Sequence, residues 1–304
     1  GIDKGWFDAF SFTGSTSVGR QIGEACGRNL IVPSLALGGK NPMIVMPDAN
    51  LENAVHGALF GAFATAGQRC TSTANIILHQ DIAPAFKTRF LQAVGALPIG
   101  NPLAHEVLYG PMISARFAEA FEAHWEMGKG EGAALLTGGA RWTEENRDDR
   151  VHGDISRGAF MQPCVWDGMT PSMELFQTEI LGPTVNLCTV ESFEQALEYA
   201  NGTPYGLSSA IYTENRAWID RFKRETKAGM SSINNSTVGS EAHAPFGGNG
   251  WSGNGSRESG PWVLDSYTRW HAVNDDASGR LQLAQIETDY GKKAEYGLTA
   301  WDQL

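Results

Sequence analysis

The sequence predicts an α/β protein built on parallel strands, and three observations carry this. Short apolar runs alternate with segments of helical period along most of the chain. The composition, 42% hydrophobic and 10% aromatic, provides for a sizeable core. The length, 304 residues, leaves room for about two domains. In such a chain, strand–helix alternation favours parallel crossovers.

Trp6 to Phe12 reads as a short buried strand, Thr13-Gly14-Ser15-Thr16 as a turn, and Ser17 to Cys26 as a helix with Val18, Ile22 and Ala25 on one face. This is half of a βαβ unit without its first half, and a fold that begins on an interior strand would leave an unpaired edge; the chain is expected to be a piece of something larger. Gly38 to Pro42 reads as a loop and Met43 to Met46 as a strand. Asp48 is placed to cap a helix from Leu51 to Phe63, which Ala66-Gly67-Gln68 ends. Ile76 to His79 is a strand, followed by amphipathic helices over Ile82 to Val94 and Ala115 to Met127. The alternation continues through Val185 to Cys188, Phe193 to Ala200, Leu207 to Tyr212 and Trp218 to Thr226. Arg141 to Arg157 is charged and reads as an exposed loop. Ser240 to Gly260 is too dense in glycine for regular structure, and from Asp275 onward the chain is polar and mixed.

The formal charge of −11 argues against nucleic acid or an anionic membrane surface as partner. No apolar run approaches the length of about 18 residues needed to span a bilayer. Cys26, Cys70, Cys164 and Cys188 are widely spaced and do not resemble a disulfide framework, which implies a reducing, cytoplasmic setting. His105-Glu106 lacks the second histidine of a zinc-protease helix, because Tyr109 stands in its place; no metal is expected. Gly248-Asn249-Gly250-Trp251-Ser252-Gly253 fits a dinucleotide fingerprint in spacing but not in context, and the preferred reading is close backbone approach. Thr13-Gly14-Ser15-Thr16 has the right context, between strand and helix. An anion-binding helix start and an ordinary capped helix explain it equally well. Cys70 could be a small buried hydrophobe. Against that, Arg69 is adjacent, where a cation would lower the thiol pKa, and a glycine and hydroxyl residues surround it.

Taken together, Phe12-Thr13-Gly14-Ser15-Thr16, Leu37-Gly38-Gly39-Lys40-Asn41-Pro42, Gly67-Gln68-Arg69-Cys70, Glu179-Ile180-Leu181-Gly182-Pro183, Tyr205-Gly206-Leu207-Ser208 and Pro245-Phe246-Gly247-Gly248 with Ser252-Gly253 resemble the aldehyde dehydrogenase superfamily in order and spacing, over about residues 1 to 273. The resemblance implies an aldehyde-dehydrogenase-like α/β fold. Residues 1–38 would close a Rossmann-type nucleotide domain, 39–238 would form the parallel-sheet catalytic domain, 239–274 a return segment with an oligomerisation strand near Tyr267 to Val273, and 275–304 a C-terminal extension. The extension reads as a surface arm or as a tail reaching the site entrance, with Leu281, Ala284 and Ile286 on one helix face and Trp301 as an anchor.

The resemblance further implies oxidation of a small-molecule aldehyde with NAD or NADP. Cys70 would be the nucleophile, with its backbone N–H as half of an oxyanion hole. Thr13, Gly14 and Ser15 would meet the pyrophosphate, Glu179 with Leu181 would contact the nicotinamide ribose side, and Phe246 would line the aldehyde pocket. One departure is chemical. Where the family has its general-base glutamate, 34 residues before the nucleophile, this chain has Ala36. A methyl group takes no proton, and loss of a positioned base typically removes about 10²- to 10⁴-fold in rate. Two alternatives follow: transfer of the acyl group to coenzyme A, or a catalytically silent subunit of a hetero-oligomer. The expected partners are copies of the same chain, or a complementary chain carrying the nucleotide-binding half.

Overall fold

The amino end of the chain builds a parallel strand–helix–strand unit: β1 (Phe10–Thr13), α1 (Thr16–Arg28) and β2 (Pro33–Ala36). Ser15 starts the helix, its hydroxyl accepting the Val18 N–H at 3.4 Å. The strands pair with Phe10 opposite Pro33 and Thr13 opposite Ala36, in a sheet of their own. In the computed structural model, which describes residues 1–277, β1 is not the buried strand expected over Trp6 to Phe12. Trp6 and Phe7 are exposed, and burial alternates only between partial and none along β1. Apolar composition buries a strand only where other elements cover its faces, and β1 has a strand neighbour on one edge alone.

The larger sheet has seven strands. In chain order its elements are β3 (Asn41–Val45), α2 (Leu51–Phe63), β4 (Thr73–His79), α3 (Ala83–Val94), α4 (Ala115–Gly130), β5 (Ala134–Thr137), β6 (Cys164–Asp167), β7 (Thr184–Val190), α5 (Phe193–Ala200), β8 (Ser208–Tyr212), α6 (Arg216–Glu225) and β9 (Met230–Ile233). The spatial order is β9-β8-β3-β4-β7-β6-β5, parallel throughout except that β5 runs against β6. The central strands read as near-continuous apolar runs, such as Met43 to Val45 and Ile76 to Leu78, because helices cover both faces. Phe63, Phe86 and Phe90 stack between α2 and α3, with ring centroids 5.4 and 6.2 Å apart; such pairs add about 0.5–1.5 kcal/mol each beyond their burial.

Two local expectations are corrected. Asp48 does not cap α2. Asn50 does, accepting the Asn53 N–H at 3.0 Å. Asp48 turns across the sheet edge and accepts from Thr213 Oγ1 at 2.7 Å and the Glu214 N–H at 3.0 Å, where it satisfies the turn after β8. Within Arg141 to Arg157, Arg141–Trp142 pairs with Phe160–Met161 and Val151–His152 with Ile99–Gly100. Trp142, Val151 and Ile155 are buried there while the charges pair among themselves, as Arg147 does with Glu144 and Arg150 with Asp148. Tyr267 ends a short helix, Leu264–Tyr267.

Gly1–Tyr267 form one compact unit; after it, Trp270 and Val273 are exposed. Leu281, Ala284, Ile286 and Trp301 lie outside the described residues. No helix among those described is long and apolar enough to cross a membrane.

Candidate active site

The site forms where the carboxyl ends of β1 and β2 approach the amino ends of β3, β4, β7 and β8. Residues Leu37 to Lys40 connect β2 to β3 through this region, and the loops preceding β4 and β7 fold over them. The β4 loop is bent by three consecutive left-handed residues, Thr65 (φ 56°), Ala66 (φ 55°) and Gly67 (φ 64°). Only glycine fits the third position. A Cβ on Gly67 would run into the Gly182 carbonyl oxygen, so this turn and the Glu179–Pro183 loop meet backbone to backbone. Strain of this kind persists only where the surroundings over-determine it.

The turn delivers Cys70. Its carbonyl oxygen accepts from Asn41 Nδ2 at 2.8 Å, and the same amide donates to the Ser72 carbonyl at 2.8 Å. Asn41 Oδ1 accepts the Ser208 N–H at 3.0 Å. One buried amide at the start of β3 therefore pins the Cys70 loop and β8 together. Cys70 is half-buried, and the other cysteines, Cys26, Cys164 and Cys188, are buried free thiols. Its own N–H and that of Thr71 favour the thiolate. Burial and then the Glu179 charge outweigh them, and the thiol is pushed above its ordinary range. Arg69 lowers the thiol in the expected direction but does not prevail. Arg69 contributes least, because its guanidinium turns away to Thr65 Oγ1 at 3.0 Å and over the Phe60 ring.

Glu179 lies on the other side of Gly39. Its Oε1 accepts the Gly39 N–H at 2.9 Å. A Cβ on Gly38 would overlap Glu179 Oε2, and one on Gly39 would stand 2.5 Å from the Cys70 carbonyl. The two glycines are what let an acid and a cysteine loop close on the same backbone. Burial pushes the Glu179 carboxyl up, while the Gly39 N–H and Lys40 pull it down. Leu181, partly exposed, lines the cavity beside it. Among the described residues, Glu179 Oε2 receives no hydrogen bond, so it is available to a ligand hydroxyl.

Thr13, Gly14 and Ser15 gather at the start of α1, next to Ala36 rather than next to Cys70. Thr13 pairs with Ala36, and the Gly14 N–H donates to the Ala36 carbonyl at 3.1 Å. Ala36 is buried and bridges to Gly253. Burial and then the Glu179 charge push the nearby Tyr205 phenol above its ordinary range, opposed by the Glu179 N–H and the Thr16 hydroxyl. Thr16 Oγ1 also donates to the Trp251 carbonyl at 2.8 Å. The Gly248–Gly253 segment serves close approach, with Ser252 Oγ on the Gly206 N–H at 3.0 Å and the Leu37 N–H on the Ser252 carbonyl at 2.9 Å. Phe246 exchanges two backbone hydrogen bonds with Glu258, both 2.6 Å. The helix start at Ser15 and the open oxygen of Glu179 fit a dinucleotide's pyrophosphate and one ribose. Among the described residues no group of His, Cys, Asp or Glu could hold a metal.

Sequence reasoning assigned nothing to Lys40, Asn41 or Tyr205. The run Gly38-Gly39-Lys40-Asn41-Pro42 was a visible signal, but nothing in a sequence says that a lysine and an asparagine in a loop become buried.

This arrangement is that of a known class. Residues 2–273 match the aldehyde dehydrogenase family model, and the chain belongs to that family. Among its relatives, alpha-ketoglutaric semialdehyde dehydrogenase of Bacillus subtilis (strain 168) is 40% identical over 261 residues, 86% of this chain and 52% of the relative. Benzaldehyde dehydrogenase (NAD(+)) of Pseudomonas putida is 37% identical over 259 residues, 85% of this chain and 50% of the relative. Betaine aldehyde dehydrogenase of Staphylococcus aureus, solved in complex with NAD+, superposes with a TM-score of 0.80 at 33% identity, covering 86% of this chain and 50% of that one. An NAD-dependent aldehyde dehydrogenase of Sinorhizobium meliloti does so at 0.85 and 31% identity, over 93% and 54%. The chain thus spans about half the length of the relatives it matches.

Proposed function

We propose that this chain carries the nucleophile-bearing catalytic domain of an NAD(P)-dependent aldehyde dehydrogenase, with residues 1–38 as the end of its nucleotide-binding domain. The observation that supports it most is the placement of a half-buried cysteine and a carboxylate on opposite sides of Gly39. The substrate is an aldehyde, and Phe246 is assigned to its pocket. The unpaired cysteines support a reducing, cytoplasmic setting.

In this reading the Cys70 thiolate adds to the aldehyde carbon, forming a C–S bond and an oxyanion that the Cys70 N–H receives. Bound nicotinamide supplies the hydride acceptor, and Glu179 with the α1 start orients it. Loss of hydride from the former aldehyde carbon restores a C=O bond and leaves an acyl thioester on Cys70. Hydrolysis of that thioester needs a base to draw a proton from water, and the Ala36 methyl offers none. The thioester accumulates, or a thiol such as coenzyme A displaces it. A second reading, an inactive subunit paired with a complementary chain, draws on the same alanine.

Incubation with a panel of aldehydes and NAD or NADP, followed by intact mass measurement, tests the proposal. An acyl adduct on Cys70 with little turnover is expected. Acyl-coenzyme A formed only when coenzyme A is added would establish the thiol-acceptor route. No adduct and no hydride transfer under any condition would reject the enzymatic reading and leave the silent subunit.

A further inference from the structure

The segment Gly38 to Asn41 gathers the whole site onto four consecutive residues. Gly38 and Gly39 cradle Glu179, and Asn41 holds the Cys70 carbonyl. The residue between them is Lys40, only 3% exposed. A lysine buried to that degree is rare unless it is paired. Lys40 lines two small cavities. One also bears Glu179, Thr184 and Asn186; the other bears Tyr205, Ser208 and Thr226. Each cavity includes a buried hydroxyl, Thr184 Oγ1 in the first and Ser208 Oγ in the second, that has no hydrogen-bond partner among the described residues. Polar groups able to solvate an ammonium thus stand on both sides of it.

The charged and titratable groups around Lys40 come from every neighbouring element. Glu179 stands on the loop before β7, Cys188 on β7 itself, and His124 on α4, backed by Glu174. Lys87 and Asp167, which bond each other at 2.7 Å, act on Cys188 from beyond. Of these only Glu179 carries a charge that also reaches Cys70, whose other neighbouring charge is Arg69.

We infer that Lys40 is a positioning residue that acts on Cys70 through Glu179: its ammonium offsets the Glu179 carboxylate, and so sets how strongly that carboxylate opposes the Cys70 thiolate. Desolvation brings the Lys40 amine down to about 7, with Glu179 the largest influence opposing it. The offset is then full below neutral pH and fades as pH rises through that value, just where the thiolate is needed. This inference rests on the reading of Cys70 as nucleophile, but its test does not require turnover.

The measurement is the pH dependence of Cys70 alkylation by iodoacetamide in the folded full chain, read by peptide mass. The other three cysteines are fully buried. Lys40→Met is expected to slow alkylation at neutral pH by roughly 3- to 10-fold, the size of one nearby charge removed. Glu179→Gln is expected to speed it. In the Glu179→Gln background, Lys40→Met should have no further effect, a non-additivity that loss of packing alone would not give. Lys40→Arg keeps its charge at every pH, so it should match the native rate below neutral pH and exceed it above. If Lys40→Met does not fold, the Lys40→Arg and Glu179→Gln profiles carry the test: a Glu179→Gln profile identical to the native one overturns the inference. So does an equal slowing by Lys40→Met with and without Glu179. Aldehyde adduct formation is scored separately, so failure of the Lys40 role and failure of the nucleophile assignment give different results.

Discussion

Removal of the Asn41 side chain is the sharpest test of how the site is held. In Asn41→Ala three backbone groups lose their partner at once: the Cys70 and Ser72 carbonyls, each at 2.8 Å, and the Ser208 N–H at 3.0 Å. Asn41 is 1% exposed, so water cannot readily replace it. A buried backbone group left unsatisfied costs about 1–3 kcal/mol. With partial relaxation, the three together are expected to cost about 3–5 kcal/mol. Asn41→Asp is the informative comparison. It keeps an acceptor for the Ser208 N–H but points a carboxylate oxygen at two carbonyls, and it should destabilise at least as much. Urea unfolding gives the stability, and iodoacetamide alkylation gives the state of the Cys70 loop. A loss below about 1 kcal/mol, with the alkylation rate unchanged, would refute the claim that this amide organises the site.

Other outcomes follow from the same geometry. Ala36→Glu should accelerate hydrolysis of a Cys70 acyl adduct, by up to about 10²-fold, in an assembly that contains the nucleotide-binding portion; an unchanged rate there would argue against a base role at this position. Gly67→Ala should abolish adduct formation. It adds the cost of a left-handed non-glycine residue, about 1–2 kcal/mol, and forces the Cys70 turn away from Gly182; retained adduct formation would show that the two loops need not touch. The alkylation rate of native Cys70 should keep climbing beyond the pH at which an ordinary thiol levels off. The thiolate is the reactive form, and burial with Glu179 raises the thiol's pKa, so a given thiolate fraction needs higher pH. A plateau at or below the ordinary thiol range would contradict that direction.

Much of the fold was legible in the sequence because its signals are local. The helix over Leu51 to Phe63 and the one over Phe193 to Ala200 agree residue for residue with expectation, since apolar period and end signals are written in adjacent positions. Even so, the cap of the first was Asn50 rather than Asp48. Both are good caps, and a tertiary bond to Thr213 decided which one served. Trp6 and Phe7 show the same limit from the other side, because apolar side chains stay exposed where nothing covers them.

For the candidate site, the sequence by itself determined the motif order, the cysteine at position 70, the acid at 179 and the methyl at 36, since these are matters of identity and spacing. Only the tertiary structure decided what surrounds them. It turned Arg69 outward, set Glu179 rather than a cation as the stronger charge on Cys70, and buried Lys40 and Asn41 between them. The physical reason is that charge and hydrogen-bond strength depend on burial and on separation through space. Glu179 lies 109 positions beyond Cys70 in the chain, and it reaches the thiol only because parallel strands bring both loops onto the same two glycines.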